Sequence, residues 1–273
     1  MITMRRALFI LALAICCSAV AQQRMTILHT SDTHSCIEPE RDGGAGVLNR
    51  ALMLEALRDS LGNENVLLFD CGDFSQGSLF YSVFKGETEI EMMNAMRYDA
   101  CTIGNHEFDF GLENMSKIFR MAKFEVVCAN YDFSNTACEG LVKPWTVIER
   151  AGIRIGVFGI SPNPEGLVSK DNYAGVKYRH PIEAANEAVA ALKAEGCDVV
   201  VCLSHLGWQI NNEFNDERLA AETAGIDVIL GGHSHDCFNT ALGYVNKEGK
   251  EVILQHSGKN GRHIGYITLN IGK

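Results

Sequence analysis

No Cys-x-x-Cys pair occurs anywhere in the 273 residues. That weakens zinc-ribbon and thioredoxin-like readings, which need two thiols at that spacing. Proline is scarce, with five in the chain, so no Pro-rich linker divides it. There is no long run of Lys and Arg, and 24 basic against 34 acidic residues give a formal net charge of −10. This balance argues against partners that are nucleic-acid polymers. An anionic substrate would have to be held by something local, such as a metal. Internal repeats and low-complexity blocks are also missing. What remains is 47% hydrophobic and 21% charged residues, the make-up of a globular chain with a core and not of a disordered one.

The first residues carry Arg5 and Arg6, an apolar stretch over 7–20, and Ala19-Val20-Ala21. A positive start, a short apolar run and small residues at alternate positions read as a signal peptide over 1–21. The run is too short for a comfortable membrane span. The expectation is therefore an exported protein, periplasmic or extracellular, with no stable span after processing. Residues 22–273 are expected to form one catalytic-size domain. Eight cysteines stay in it, an even number in a compartment that permits disulfides. Cys71, Cys101 and Cys202 lie in apolar runs and read as small buried hydrophobes.

Apolar runs of strand length recur at 25–29, 66–69, 125–129, 153–160, 198–203 and 226–230. Amphipathic helical patterns lie between them, over 47–61, 87–96, 112–121, 182–193 and 213–224. Pro181 suits the first turn of the fourth. Strands alternating with helices predict an α/β fold with a largely parallel sheet core. The last fifth differs: 241–246, a polar turn at 247–250, and 252–256 read as a hairpin, followed by a strand over 263–271. The sheets are therefore expected to be mixed.

Five segments place acids, imidazoles and an amide directly after strand-like runs. They are Asp32-Thr33-His34, Gly72-Asp73, Gly104-Asn105-His106-Glu107-Phe108-Asp109, His205, and Gly231-Gly232-His233-Ser234-His235. In open α/β sheets the carboxyl ends of strands line the binding crevice. In an extended tail residues i and i+2 point the same way, so Asp32 with His34, and His233 with His235, can each offer two groups to one cleft. The glycines permit sharp turns and close backbone approach. Together the groups suit two divalent cations.

Those segments resemble the calcineurin-like metallophosphoesterase superfamily. Leu28-His29-Thr30-Ser31-Asp32-Thr33-His34, Gly104-Asn105-His106-Glu107-Phe108-Asp109 and the stretch 258–265 are most similar to the catalytic domain of bacterial 5′-nucleotidases. The resemblance covers 24–271 and implies a four-layer α/β/β/α sandwich with mixed sheets and two metals, Zn, Mn, Fe or Co, between its loops. It makes Asp32, His34, Asp73 and His235 the ligands of one metal. Asp73 would bridge to a second, completed by Asn105, His205 and His233. The family often has Gln or Asn where His235 stands. His106 resembles the catalytic histidine, Asp109 the carboxylate paired with it, and Asn105 with His106 would meet the substrate phosphate. The implied reaction is hydrolysis of small phosphate monoesters, nucleotides above all. Cyclic nucleotides and nucleotide sugars are the alternative substrates. In the proteins it resembles, a further C-terminal domain holds the nucleoside, and the sequence to Lys273 has no counterpart of it. A second reading is thus a catalytic subunit beside a separate recognition partner.

Other residues are assigned away from the metals. Asp70 and Glu107 read as structural groups beside the site, and His29 as a core histidine. His180, His256 and His263 read as surface residues. Trp208 is placed either in the cleft wall or in the core. Cys36 and Cys237 each follow a proposed ligand by two residues, which raises a disulfide between them as an expectation.

Overall fold

The computed structural model describes residues 23–272, so the leader expected over 1–21 lies outside the described residues. The first half of the chain builds strands β1 (Gln23–Thr30), β2 (Val66–Asp70), β3 (Ala100–Cys101) and β4 (Glu125–Val126). Helices α1 (Val47–Leu61), α2 (Leu79–Phe84), α3 (Glu87–Ala95) and α4 (Gly111–Phe119) connect them. A short strand β5 (Tyr131–Asp132) leads into the antiparallel pair β6 (Trp145–Arg150) and β7 (Ile153–Ile160). Then come β8 (Lys177–Tyr178), α5 (Pro181–Ala194), β9 (Val199–Ser204), α6 (Asp216–Glu222) and β10 (Val228–Gly231). The hairpin β11 (Leu242–Val245) and β12 (Glu251–His256) precedes the last strand, β13 (Gly265–Ile271).

Two sheets result. One has the order β13-β1-β2-β3-β4 and the other β11-β12-β10-β9-β7-β6. β1 to β4 run parallel, with β13 added antiparallel at the edge. In the second sheet β12, β10, β9 and β7 are parallel, and β11 and β6 close the edges antiparallel.

Side-chain alternation shows the layering. Along β1, Met25 and Ile27 enter a core shared with Val157, Val201, Leu203 and Leu230 of the other sheet. Leu28 points the opposite way, into a second core with Leu54, Ile90 and Ile118 of the helices. On the far side, Val200, Cys202 and Ile229 pack against Ala185, Ala188, Val189 and Leu192 of α5. A period of two that is apolar on both faces marks a strand covered on both sides. Helices, sheet, sheet, helices make the four-layer sandwich that the resemblance implies. Cys71, Cys101 and Cys202 are fully buried, also as predicted.

α1 departs from its pattern. Leu54 is buried, but Leu48 and Leu52 remain largely exposed while Arg50 and Arg58 are buried. The Arg58 Nη2 donates to the carbonyls of Met96, at 2.9 Å, and Arg97, at the end of α3. A guanidinium there satisfies carbonyls that a helix end leaves without partners.

His29 lies between the layers, fully buried, with Nε2 3.2 Å from Gln255 Oε1. Burial holds its pKa down, to about 4. The unfolded chain takes a proton near pH 6.5 that the fold refuses until about pH 4. The His29 contribution to stability is thus full above about pH 6.5 and falls as pH drops through that window, by up to about 3 kcal/mol. Urea titrations from pH 7 to pH 4 should show His29→Gln losing less stability than wild type, by an amount of this order. Parallel declines in the two proteins would refute the assignment.

Candidate functional site

Every candidate ligand follows the carboxyl end of a parallel strand. Asp32 and His34 follow β1, Asp73 follows β2, and Asn105 and His106 follow β3. His205 follows β9, and His233 and His235 follow β10. The loops are stitched together by backbone bonds: Asp32 N–H donates to Gly72 O at 2.9 Å and His34 N–H to Asp73 O at 3.0 Å. A cavity of about 420 Å³ opens over them, lined by His34, Asp73, Asn105, His106, His233 and His235, and also by Gln76, Lys259 and Asn260.

Asp32, His34, Asp73, His233 and His235 all have φ between 44° and 71°. This corrects the reasoning from an extended tail. The i, i+2 pairs do meet at one place, but left-handed turns bring them there. Such turns cost a non-glycine residue roughly 1–3 kcal/mol and persist only where the surroundings enforce them. Gly72 and Gly104 show why the packing is so tight. A Cβ on Gly72 would lie 2.6 Å from Gly104 N and 2.9 Å from His205 Nδ1, and one on Gly104 only 2.2 Å from Asp73 Oδ1.

Glu107 supports this geometry from below. Its buried carboxylate accepts N–H bonds from Asp73 at 2.9 Å, Ser75 at 3.1 Å and Gly104 at 2.6 Å. Asp70 accepts from Thr30 Oγ1 at 2.6 Å and from the Gly72 N–H at 3.0 Å. Both are structural groups beside the site. Burial pushes each up to about 7.

Three sets of ligand atoms lie within 4.8 Å of one another: Asp32–His34–His235, His34–Asp73–His106, and Asp73–His205–His233. Asp73 belongs to two of them. Two buried atoms in the group, Asn105 Oδ1 and His205 Nε2, have no hydrogen-bond partner. His205 Nδ1 is 2.6 Å from Cys71 O and donates to it, which directs Nε2 at Asp73 Oδ2, 3.1 Å away. Burial alone would lower the His205 pKa, but the Asp73 carboxylate lifts it to about 10. Burial raises Asp32 to about 6 and holds His34 and His233 down at about 4, as neutral rings. Imidazoles, carboxylates and one amide oxygen form a donor set that fits divalent transition metals.

His106 stands beside this set. Its Nδ1 is 3.1 Å from Asp109 Oδ2, and that bond raises its pKa. Its N–H donates to Asp73 Oδ1 at 2.8 Å, and Tyr81 Oη donates to its carbonyl at 3.1 Å. Both side chains of the pair are about one third exposed.

Some expectations need correction. His256 is buried, not at the surface, and its Nε2 is 2.7 Å from Asp216 Oδ2 beneath the end of β10. A polar residue closing a hairpin strand reads as exposed, but β12 lies inside its sheet. His180 and His263 are exposed. Trp208 is half-buried and packs against the core, its ring 4.8 Å from Phe238 and its Nε1 donating to Tyr244 Oη at 2.9 Å. Cys36 and Cys237 are both free thiols, so the disulfide is not formed. Gln76, Lys259 and Asn260 were missed as cavity residues. For the last two a signal existed: Gly258-Lys259-Asn260-Gly261 follows a strand just as the other loops do.

Comparison with known proteins agrees with this geometry. A family model described as calcineurin-like phosphoesterase matches residues 25–237. Human 5′-nucleotidase is 31% identical over 280 residues, covering 92% of this chain and 47% of its own length. The 5′-nucleotidase precursor of Thermus thermophilus is similar in structure, with a TM-score of 0.81 at 31% identity, over 90% of this chain and 51% of that one. The calcineurin-like phosphoesterase YfkN of Bacillus subtilis gives 0.79 at 28%, over 92% and 86%. The chain spans about half the length of the curated relatives it matches.

Proposed function

The chain belongs to the calcineurin-like phosphoesterase family, and from that premise we propose that it is an exported, two-metal hydrolase of small phosphate monoesters, nucleotides foremost. The observation that carries the reading is Asp73, shared between ligand groups and 3.1 Å from the His205 Nε2, which has no hydrogen-bond partner among the described residues. Asp32, His34, Asp73 and His235 would hold one cation. Asp73, Asn105, His205 and His233 would hold the other. Zn, Mn, Fe or Co would suit this mixed nitrogen and oxygen set. When bound, such a pair stabilises charge in an in-line displacement at phosphorus and makes water more acidic.

The chain's own side chains do the rest. Asn105 and His106 border the cavity where the phosphoryl group must lie. Asp109 holds His106 by Nδ1 and leaves Nε2 to meet charge on the phosphoryl or leaving oxygen. Residues 22–273 act as one catalytic domain. Arg5-Arg6 and Ala19-Val20-Ala21 support export, and no helix among the described residues is long and apolar enough to cross a membrane.

The test is turnover by the purified, metal-loaded protein with AMP, GMP, an aryl phosphate, UDP-glucose and a cyclic nucleotide. Phosphate and its metals bind alike in every monoester, which sets reactivity without selectivity. The expected result is hydrolysis of all three monoesters with a spread under about tenfold, a gap below about 1.4 kcal/mol. A separate recognition subunit, if added, would lower KM for one class and leave the aryl phosphate nearly unchanged. Faster turnover of UDP-glucose or the cyclic nucleotide would make it a phosphodiesterase. No turnover by protein carrying both metals would defeat the proposal.

A further inference from the structure

Three neighbouring strands of the second sheet end side by side. Ser204 is the last residue of β9, Gly231 of β10 and His256 of β12, and the register pairs Gly231 with both of the others. Gly231 thus leaves a gap between two polar side chains. A Cβ there would lie 2.5 Å from Asp216 Oδ2 and closer still to His256 Nε2. The Asp216 carboxylate, carried by the first residue of α6, fills the gap. Its Oδ2 accepts from His256 Nε2 at 2.7 Å, and its Oδ1 accepts from the Ser204 hydroxyl. One carboxylate therefore ties β9 to β12 across β10. Ser204 and Asp216 are fully buried, and His256 nearly so.

This bridge lies directly behind two candidate ligands. His205 follows Ser204, and His233 stands two residues after Gly231. The Ser204 Oγ also accepts the Leu206 N–H at 3.2 Å, and the Asp216 N–H donates to Gly207 O at 2.9 Å. Asp216 thereby holds the chain on both sides of His205. None of Ser204, Asp216 and His256 lines the cavity, so the group does not meet a substrate there. The Phe238 ring, 5.2 Å from that of His256, belongs to the apolar surroundings. Polar groups at this depth cost free energy unless each is bonded, and an apolar filling would avoid the cost. Stability alone therefore gives little reason for a carboxylate here. Direction gives one: a bonded buried network specifies a single arrangement of the elements it joins. The elements joined are the loops of His205 and His233, both assigned to the second cation.

We propose that Asp216, held between Ser204 and His256, is a positioning residue that aligns the loops of His205 and His233 and so sets the affinity of the second cation site without touching the cation. This rests on the two-metal reading and adds to it a buried group that favours one site over the other.

The experiment titrates cobalt ions into the full chain by calorimetry and reads each site by itself. His235→Ala isolates the second site, and His233→Ala isolates the first. In the first background, Asp216→Ala should weaken cobalt binding by about tenfold to a hundredfold, the scale for losing a group that orients metal ligands. In the second, the same change should leave Kd within a factor of about two. Ser204→Ala and His256→Leu each remove one partner of the carboxylate and should act in the same direction with smaller losses, so the test stands even if Asp216→Ala does not fold. His256→Gln keeps a donor toward Oδ2 and should recover most of what His256→Leu loses. Equal weakening of both sites would make the group a fold element only, and the proposal fails. An unchanged second site in folded variants would also overturn it. Wild type that holds fewer than two cobalt ions would sink the two-metal reading and this proposal with it, whereas two ions with a second site indifferent to these changes would sink this proposal alone.

Discussion

Asp73→Ala should bind neither divalent cation tightly and should lose hydrolysis by on the order of a thousandfold or more, since each cation supplies several kcal/mol of charge stabilisation and tenfold costs 1.36 kcal/mol. No other residue is assigned to both proposed cations, although His34 too belongs to two of the three sets. Asp73 shares one set with His34 and His106 and another with His205 and His233. Removing it takes a ligand from both proposed cations at once. It also leaves His205, fully buried, without the carboxylate that raises its pKa. His235→Ala differs in kind, since it touches only the set with Asp32 and His34. Elemental analysis after dialysis against excess metal would show near zero cations per chain for Asp73→Ala and one for His235→Ala. Asp73→Asn keeps an oxygen to accept the His106 N–H, so circular dichroism of that variant separates metal loss from unfolding. Two tightly held cations in Asp73→Ala would end the bridging assignment.

The fold was legible wherever a pattern ran long enough. The helix Val47–Leu61 and the strand Ile153–Ile160 have the bounds that their periodicity predicts. A strand buried on both faces reads as one apolar run, and two layers of such runs leave few architectures. Short ladders were not legible. The run over 125–129 pairs as a strand only at Glu125–Val126, because the chain then changes partners. Val127 bridges Lys143, and the Ala129 N–H turns to Gly159 O in the other sheet. That choice depends on residues far off in sequence. The same limit applies at the site. The segments bearing Asp32, Asp73, Asn105, His205 and His233 could be found because each follows an apolar run. The three N–H bonds to Glu107 could not, since they join residues up to 34 positions apart. His256 was misplaced for a related reason: burial of a hairpin strand depends on its neighbour β10, which no local pattern reports.

His106→Ala should keep both cations and lower kcat by at least about a hundredfold, the scale for removing a positioned proton donor or acceptor. The side chain is not fastened deep in the protein. It is about one third exposed, and Asp109 is its one side-chain hydrogen-bond partner among the described residues. The bonds that hold the surrounding loop come from its backbone: the N–H to Asp73 and the carbonyl to Tyr81. An alanine retains both. Melting temperature and metal content should therefore move little, and the loss should fall on kcat more than on KM. That split marks an interaction made in the transition state and absent from the ground state. Asp109→Asn should act in the same direction with a smaller loss. It weakens the bond that holds Nδ1 without removing the ring. If the ring acts and the carboxylate orients it, the double variant should be scarcely worse than His106→Ala alone, because the carboxylate then has nothing to hold. Independent, multiplicative losses would assign Asp109 a role of its own. Activity of His106→Ala within a factor of about two of wild type would remove His106 from the chemistry, since a group of this kind contributes on the order of a hundredfold. Catalysis would then rest on the metal ligands and Asn105.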